Sequence, residues 1–233
     1  MSATLSALGF AMVPVGAALI GALIALMRPP GPLVTSGVQH FAAGVVFAAA
    51  AGEILPDILE AGGIVPTLIG GLLGIGAMLL VGRLEQRSEG TAGLLATVGV
   101  DLFIDGLVLG IAFAAGAAAG ILLTVALTLE VLFLAVSTAL GLGEKVASKG
   151  RAVVLTVAVV LLLPVGVLVA SPVALAPEAV KTALFSFGLI ALLYLVTEEL
   201  LVEAHEEVED RPWITALFFL GFLSLLLIQE MLG

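Results

Sequence analysis

Three acidic residues have the type and spacing to do chemistry. Asp101 and Asp105 are four positions apart, which on a helix puts both carboxylates on one face, separated by roughly 6 Å of rise. Glu130 follows in the next apolar stretch, and no Lys, Arg or His occurs anywhere from Gly90 to Glu144. A carboxylate near the centre of a bilayer costs about 2.5–3.5 kcal/mol on insertion scales. With no base to neutralise them, such acids either take up protons or draw in a cation. One reading has Asp101 and Asp105 protonated and hydrogen-bonded between helices. The other, favoured by three converging acids, is a pathway for a cation or proton. Gly99, Gly106 and Gly110 on the same helix are either packing notches or points of local unwinding that would expose carbonyls as further oxygen ligands.

Other ionisable residues mark two mouths. Glu53, Asp57 and Glu60 descend one half of the second apolar stretch, with Pro56 able to kink that turn, and Glu198, Glu199 and Glu203 occupy the last part of the seventh. The run from Glu203 through His205 to Asp210 could collect cations but reads first as a solvated acidic loop. His40 reads as an interfacial side chain, and Gln229 and Glu230 as a chain end without a role.

The elements that must position these residues follow from composition. The 233 residues are 61% hydrophobic and only 11% charged, whereas a soluble domain carries roughly 25% charged and 45–50% apolar residues. That excludes a water-soluble enzyme, and the net charge of −10 disfavours nucleic acid or another phosphate-rich partner. With no cysteine there are no disulfides, zinc fingers, thiol chemistry or iron–sulfur clusters. A spanning helix needs about 20 mostly apolar residues. Stretches of that kind fall at 5–27, 33–59, 64–84, 92–114, 119–142, 152–170, 178–203 and 213–232. The expected fold is therefore all-α, a single polytopic domain over 1–233 with eight transmembrane helices. The first stretch follows no basic segment, so it reads as a retained helix rather than a cleaved signal.

With the N-terminus outside, the odd-numbered connections hold Arg28, Arg83, Arg87, Lys145, Lys149, Arg151 and Arg211, and only Lys181 lies near an outer connection. Seven bases against one set both termini outside. Glu53-Ile-Leu-Pro-Asp57 and Glu199-Leu-Leu-Val-Glu203 then run in opposite directions. Such a pair is what an inverted repeat of helices 1–3 and 6–8 would leave behind, although two unrelated helix ends could match as well.

These features together resemble the ZIP (Zrt/Irt-like) family of divalent-metal transporters. The stretch Phe41-Ala-Ala-Gly-Val-Val-Phe…Glu53-Ile-Leu-Pro-Asp57 resembles the family's apolar run ending in His-Leu-Leu-Pro-Glu. Tyr194-Leu-Val-Thr-Glu-Glu-Leu-Leu-Val-Glu-Ala204 is similar to its Tyr…Glu-Leu-Leu-Pro-Glu-Ala, and Asp101-Leu-Phe-Ile-Asp105-Gly106 to its His-Asn-x-x-Asp-Gly. The resemblance implies eight spans, outside termini, a homodimer and a metal pathway on the fourth and fifth helices. The metal site departs from the family pattern. Asp101 stands for the histidine and Leu102 for the asparagine. The fifth-helix His-Asn/Glu-x-Pro-Glu becomes Leu129-Glu130-Val131-Leu132-Phe133, and Leu163-Pro164-Val165-Gly166 has leucine where Glu-Pro-x-Gly has its acid. What remains is a single site of Asp101, Asp105 and Glu130, completed by backbone carbonyls or water. Resemblance points to zinc or iron, while an all-oxygen donor set suits Mg, Mn, Ca and, less sharply, Fe(II).

The expectation is thus a divalent cation transporter of the zinc, iron and manganese class, integral to a prokaryotic inner membrane. The metal is its substrate, it carries no prosthetic group, and its partners are the ion and the lipid bilayer. Glu53, Asp57, Glu198, Glu199, Glu203 and His205 would line the pathway. Two alternatives stand beside it. One is a transporter-derived protein that no longer moves metal and serves a structural or regulatory role. The other is an intramembrane transferase using Asp-x-x-x-Asp to hold Mg, which lacks the Arg or Lys needed to grip phosphate in either span. An intramembrane protease is disfavoured further, by the absence of a paired serine and histidine, His-Glu-x-x-His or Gly-x-Gly-Asp.

Overall fold

The computed structural model describes residues 3–87, 90–206, 208 and 211–232, with the side chains at 3, 85–87, 206 and 232 left aside. Among the described residues, eight helices are long and apolar enough to cross a membrane. They are α1 (Ala3–Met27), α2 (Pro32–Ala61), α3 (Ile64–Arg87), α4 (Gly90–Ala115), α5 (Ala117–Lys145), α6 (Lys149–Leu175), α7 (Glu178–His205) and α8 (Pro212–Leu232). Each sits on one of the apolar stretches expected from sequence. The briefest connection is the one between α4 and α5, where Gly116 alone adopts an extended conformation (φ −179°, ψ 161°).

Small residues decide how closely the helices approach. A Cβ on Gly106 would collide with the carbonyl oxygen of Leu163, and one on Gly166 with that of Phe103, so α4 and α6 touch backbone to backbone. Gly44 and Gly221 do the same for α2 and α8, against Phe218 and Phe41. Gly99, Gly106 and Gly110 are therefore packing notches. The other expectation for them is overturned: α4 is continuously α-helical from Gly90 to Ala115, so its carbonyls stay committed to the helix. α6 is interrupted at Leu161, four residues before Val165; Pro164 removes an N–H and crowds the carbonyl of Val160, which ends the regular helix there.

α1 packs most extensively on α5, α2 on α8, α3 on α7 and α4 on α6, with α4 also against α5. Opposed residue pairs rise together along each of the first four interfaces, so those helices are parallel. α2 and α7 are antiparallel: Gln39 near the start of α2 meets Glu203 near the end of α7. Lys149 Nζ donates to the Leu26 carbonyl at 2.8 Å, tying the α5–α6 connection to the α1–α2 connection. One end of the bundle, here the basic end, thus gathers the odd-numbered connections and their Arg and Lys residues.

Burial singles out the central pair and α2. The most apolar windows of α4 and α5 are 56% and 61% buried, matched by α2 at 56%, against 22% for α3 and 17% for α8, whose large aliphatic side chains face outward. α2 and α7 each contain a π-helical turn, Ala50–Ile54 and Leu195–Leu200, and these turns carry Glu53 and Glu199. A π turn frees backbone carbonyls from the regular ladder. In α2, Pro56 has no N–H to return to the Gly52 carbonyl four residues earlier, and Gln229 Nε2 from α8 donates to that carbonyl at 3.1 Å. Gln229, read from sequence as an idle chain end, therefore has a structural role.

Candidate metal centre

Asp101 and Asp105 flank the midpoint of the 26-residue α4, and Glu130 stands at the middle of the 29-residue α5. The single-residue turn at Gly116 makes these helices antiparallel neighbours, so their midpoints fall at the same depth. One ligand oxygen from each acid lies within 4.8 Å of the others. An ion that binds oxygen at 2.0–2.6 Å can reach three such atoms with only small side-chain shifts.

The surroundings leave these oxygens poorly satisfied. Asp105 is 4% exposed and Glu130 1%; among the described residues no N–H or hydroxyl donor reaches either Glu130 oxygen or Asp105 Oδ2, and the two carboxyl groups lie within hydrogen-bond reach of each other if one holds a proton. Asp101 is half-buried. Glu199, on the π turn of α7, lies within electrostatic reach of Glu130 and adds a fourth negative charge. Buried carboxylates are ordinarily paired or hydrogen-bonded. Here Asp105 and Glu130 converge with the half-buried Asp101, with no base between Gly90 and Glu144, which is a donor set for a cation.

The two sides of the triad differ. Toward the basic end, Ser137 lies two turns from Glu130 on the same face of α5. Thr97 lies one turn from Asp101 on α4, and the hydroxyls of Thr97 and Thr138 are buried without a partner. Ser137 lines a cavity of about 260 Å³ between α2, α5 and α7, together with Thr35, Ser36, Gln39 and Glu203. Toward the opposite end, the positions one and two turns from the acids are Leu109 and Phe113 on α4 and Leu127 and Leu123 on α5, all buried. Phe113 also stacks against Phe10 of α1 at 5.4 Å.

Of the residues read as mouths, Glu199 interacts electrostatically with Glu130 of the triad. Glu53 and Asp57 are half-buried on α2 and Glu60 is exposed, while Glu198 is exposed on α7. Glu203 accepts a 2.6 Å hydrogen bond from Gln39 Nε2, and the His205 ring stands edge-on to that of His40. His40 is not interfacial: it is 2% exposed, because α7 covers it. Gln39, also buried, was not marked by sequence at all. The signal available was that the start of one antiparallel span and the end of another must share a membrane face. In the acidic run, the Glu206 side chain, Glu207, Glu209 and Asp210 lie outside the described residues. No protein-family model matches the chain, and no curated protein matches it either.

Proposed function

We propose that the protein carries divalent metal cations across a membrane through one carboxylate site, Asp101, Asp105 and Glu130, at the middle of α4 and α5. The observation that carries this reading is one oxygen from each of three acids within 4.8 Å of the others, near the middle of two helices that hold no base between Gly90 and Glu144. The carboxylates would replace part of the ion's hydration shell, with water completing it, since α4 offers no free carbonyl. An all-oxygen set favours hard and borderline ions such as Mn and Fe(II) over those that prefer imidazole or thiolate.

The polar cavity on the basic side and the aliphatic seal on the other support a site reached from one face at a time. The seven bases of the odd connections favour placing that face in the cytoplasm, with both termini outside. Helices 1–3 and 6–8 are read as an inverted repeat. Exchanging α1 with α6, α2 with α7, α3 with α8 and α4 with α5 converts the α1–α5 interface into α6–α4 and the α2–α8 interface into α7–α3. The two π turns fall on exchanged helices, α2 and α7, at Glu53 and Glu199. Such a pseudo-two-fold arrangement, with the site at the repeat interface, is how alternating access is built. We read the chain accordingly as a divergent ZIP-type carrier with a reduced metal site.

Purified protein in liposomes, challenged with Mn, Fe(II), Zn, Co, Cd and Mg, is expected to accumulate at least one of them. Asp105→Asn should bring that flux to background. No flux for any ion would overturn the reading in favour of a transporter-derived protein that no longer moves metal.

A further inference from the structure

The chain has two histidines in all, and the fold brings them ring to ring. His40 on α2 and His205 near the end of α7 have ring centroids 4.7 Å apart and planes at 66°. Each Nδ1 faces the backbone carbonyl one turn earlier, His40 that of Ser36 at 2.9 Å and His205 that of Leu201. A carbonyl only accepts, so both Nδ1 atoms hold the ring proton, and in the neutral rings Nε2 carries the lone pair. Proteins orient metal-ligating histidines in this way, one nitrogen fixed by a carbonyl and the other presented to the ion.

His40 Nε2 is buried and has no partner. Beside it, Gln39 is 1% exposed; its Nε2 holds Glu203 Oε2 at 2.6 Å, and its Oε1 is buried without a partner. Gln39 thus fixes a carboxylate two residues before His205, on the helix whose imidazole pairs with that of His40; these ligand atoms are not gathered as closely as those of the triad, and binding requires the exposed side chains to close on the ion. Glu203 and Gln39 both line the cavity of about 260 Å³ together with Ser137 of α5, while His205 lines open clefts beside it with Thr197 and Leu201 and with Pro212 and Thr215. His205 and Glu203 are themselves exposed, so they can close on an ion without rearranging the core.

We propose that His40 Nε2, His205 Nε2 and the Glu203 carboxylate, held by Gln39, form a second divalent-metal site at the basic end. Its two-nitrogen, one-oxygen donor set suits Zn, Co, Ni and Cu(II) rather than Mg or Ca. It differs in kind from the all-oxygen triad. Metal binding here stands independently; its use as a staging point for ions passing the triad rests on the transport reading.

The test uses full-length protein purified without a polyhistidine tag, as wild type and as Asp105→Asn/Glu130→Gln. Loaded with Cu(II), both are expected to show pulsed-EPR modulation from the remote nitrogens of two imidazoles, on one ion per chain. His205→Ala, at an exposed position, should reduce this to one imidazole. His40→Gln should weaken Zn(II) binding at least ten-fold in competition with a chromogenic chelator, and Glu203→Gln should weaken it while keeping both imidazoles. Absence of a two-imidazole signal in the wild type, or its survival in His205→Ala, overturns the proposal. Mn(II) binding separates the two sites. Two-imidazole copper without a Mn(II) site sensitive to Asp105→Asn/Glu130→Gln would sink the midplane reading and leave this one standing. The converse result would sink this one alone.

Discussion

Glu130 has both carboxylate oxygens buried beyond reach of any described N–H or hydroxyl donor, with Asp105, Asp101 and Glu199 adding negative charge around it. Such an arrangement is a burden on folding unless a cation or protons occupy it, because like charges repel and the desolvation penalty is not offset. The consequence for Asp105→Asn has a definite sign. The amide keeps the shape, removes one charge and can donate to Glu130, so thermal stability of the metal-free protein should hold or rise while metal flux is lost. Were the acids there to bridge the helices as protonated hydrogen-bond partners, the same change would instead lower stability. Thermal unfolding of both proteins in detergent, beside liposome flux, tells these apart. Protons compete for the same oxygens, and the ion binds the deprotonated acids. Uptake at fixed metal concentration should therefore fall as the pH of the loading side is lowered from 7 toward 5, and raising the metal concentration should restore it.

Between helices, position depends on glycine notches and π turns. Gly106→Ala would drive a methyl group into the Leu163 carbonyl, with the Gly166 Cα beside it on the facing backbone leaving no room to give. Overpacking of this kind costs about 1–3 kcal/mol. Because the same helix carries Asp105 one residue earlier, forcing α4 from α6 should also lower metal affinity; a reduced unfolding temperature with unchanged flux would contradict that link. The eight spans were legible in sequence because each is a run of some 20 apolar residues closed by charge, proline or glycine, signals local to the chain. The triad was legible for a similar reason, since four-residue spacing and a short connection fix its depth. The π turns were not, because the freed Gly52 carbonyl finds its donor in Gln229 at the far end of the chain. His40 was misread for the same cause: in sequence it follows Thr35, Ser36 and Gln39 near the start of a span, as an interfacial residue would, and only packing against distant helices buries it beside His205.

Along the α4–α5 seam, the half toward the basic end carries Thr97, Ser137 and Thr138 and the other half Leu109, Phe113, Leu123 and Leu127, so the working of the bundle depends on which compartment the hydroxyl-bearing half faces. With no cysteine in the chain, single replacements can report this without background. Ala147 lies exposed in the α5–α6 connection at the basic end, and Ala61 lies exposed at the far end of α2. Positive-inside placement puts the first in the cytoplasm and the second outside. A membrane-impermeant maleimide applied to intact cells should label Ala61→Cys fully and Ala147→Cys only after permeabilisation. Ser137→Cys, in the cavity beside Gln39 and Glu203, should behave like Ala147→Cys, and saturating metal should slow its labelling if ions occupy the route to Glu130. Labelling of Ala147→Cys from outside would invert the molecule. The histidine pair and the cavity would then meet the ion on entry from the exterior, and the acids Glu53 and Asp57 would face the cell interior.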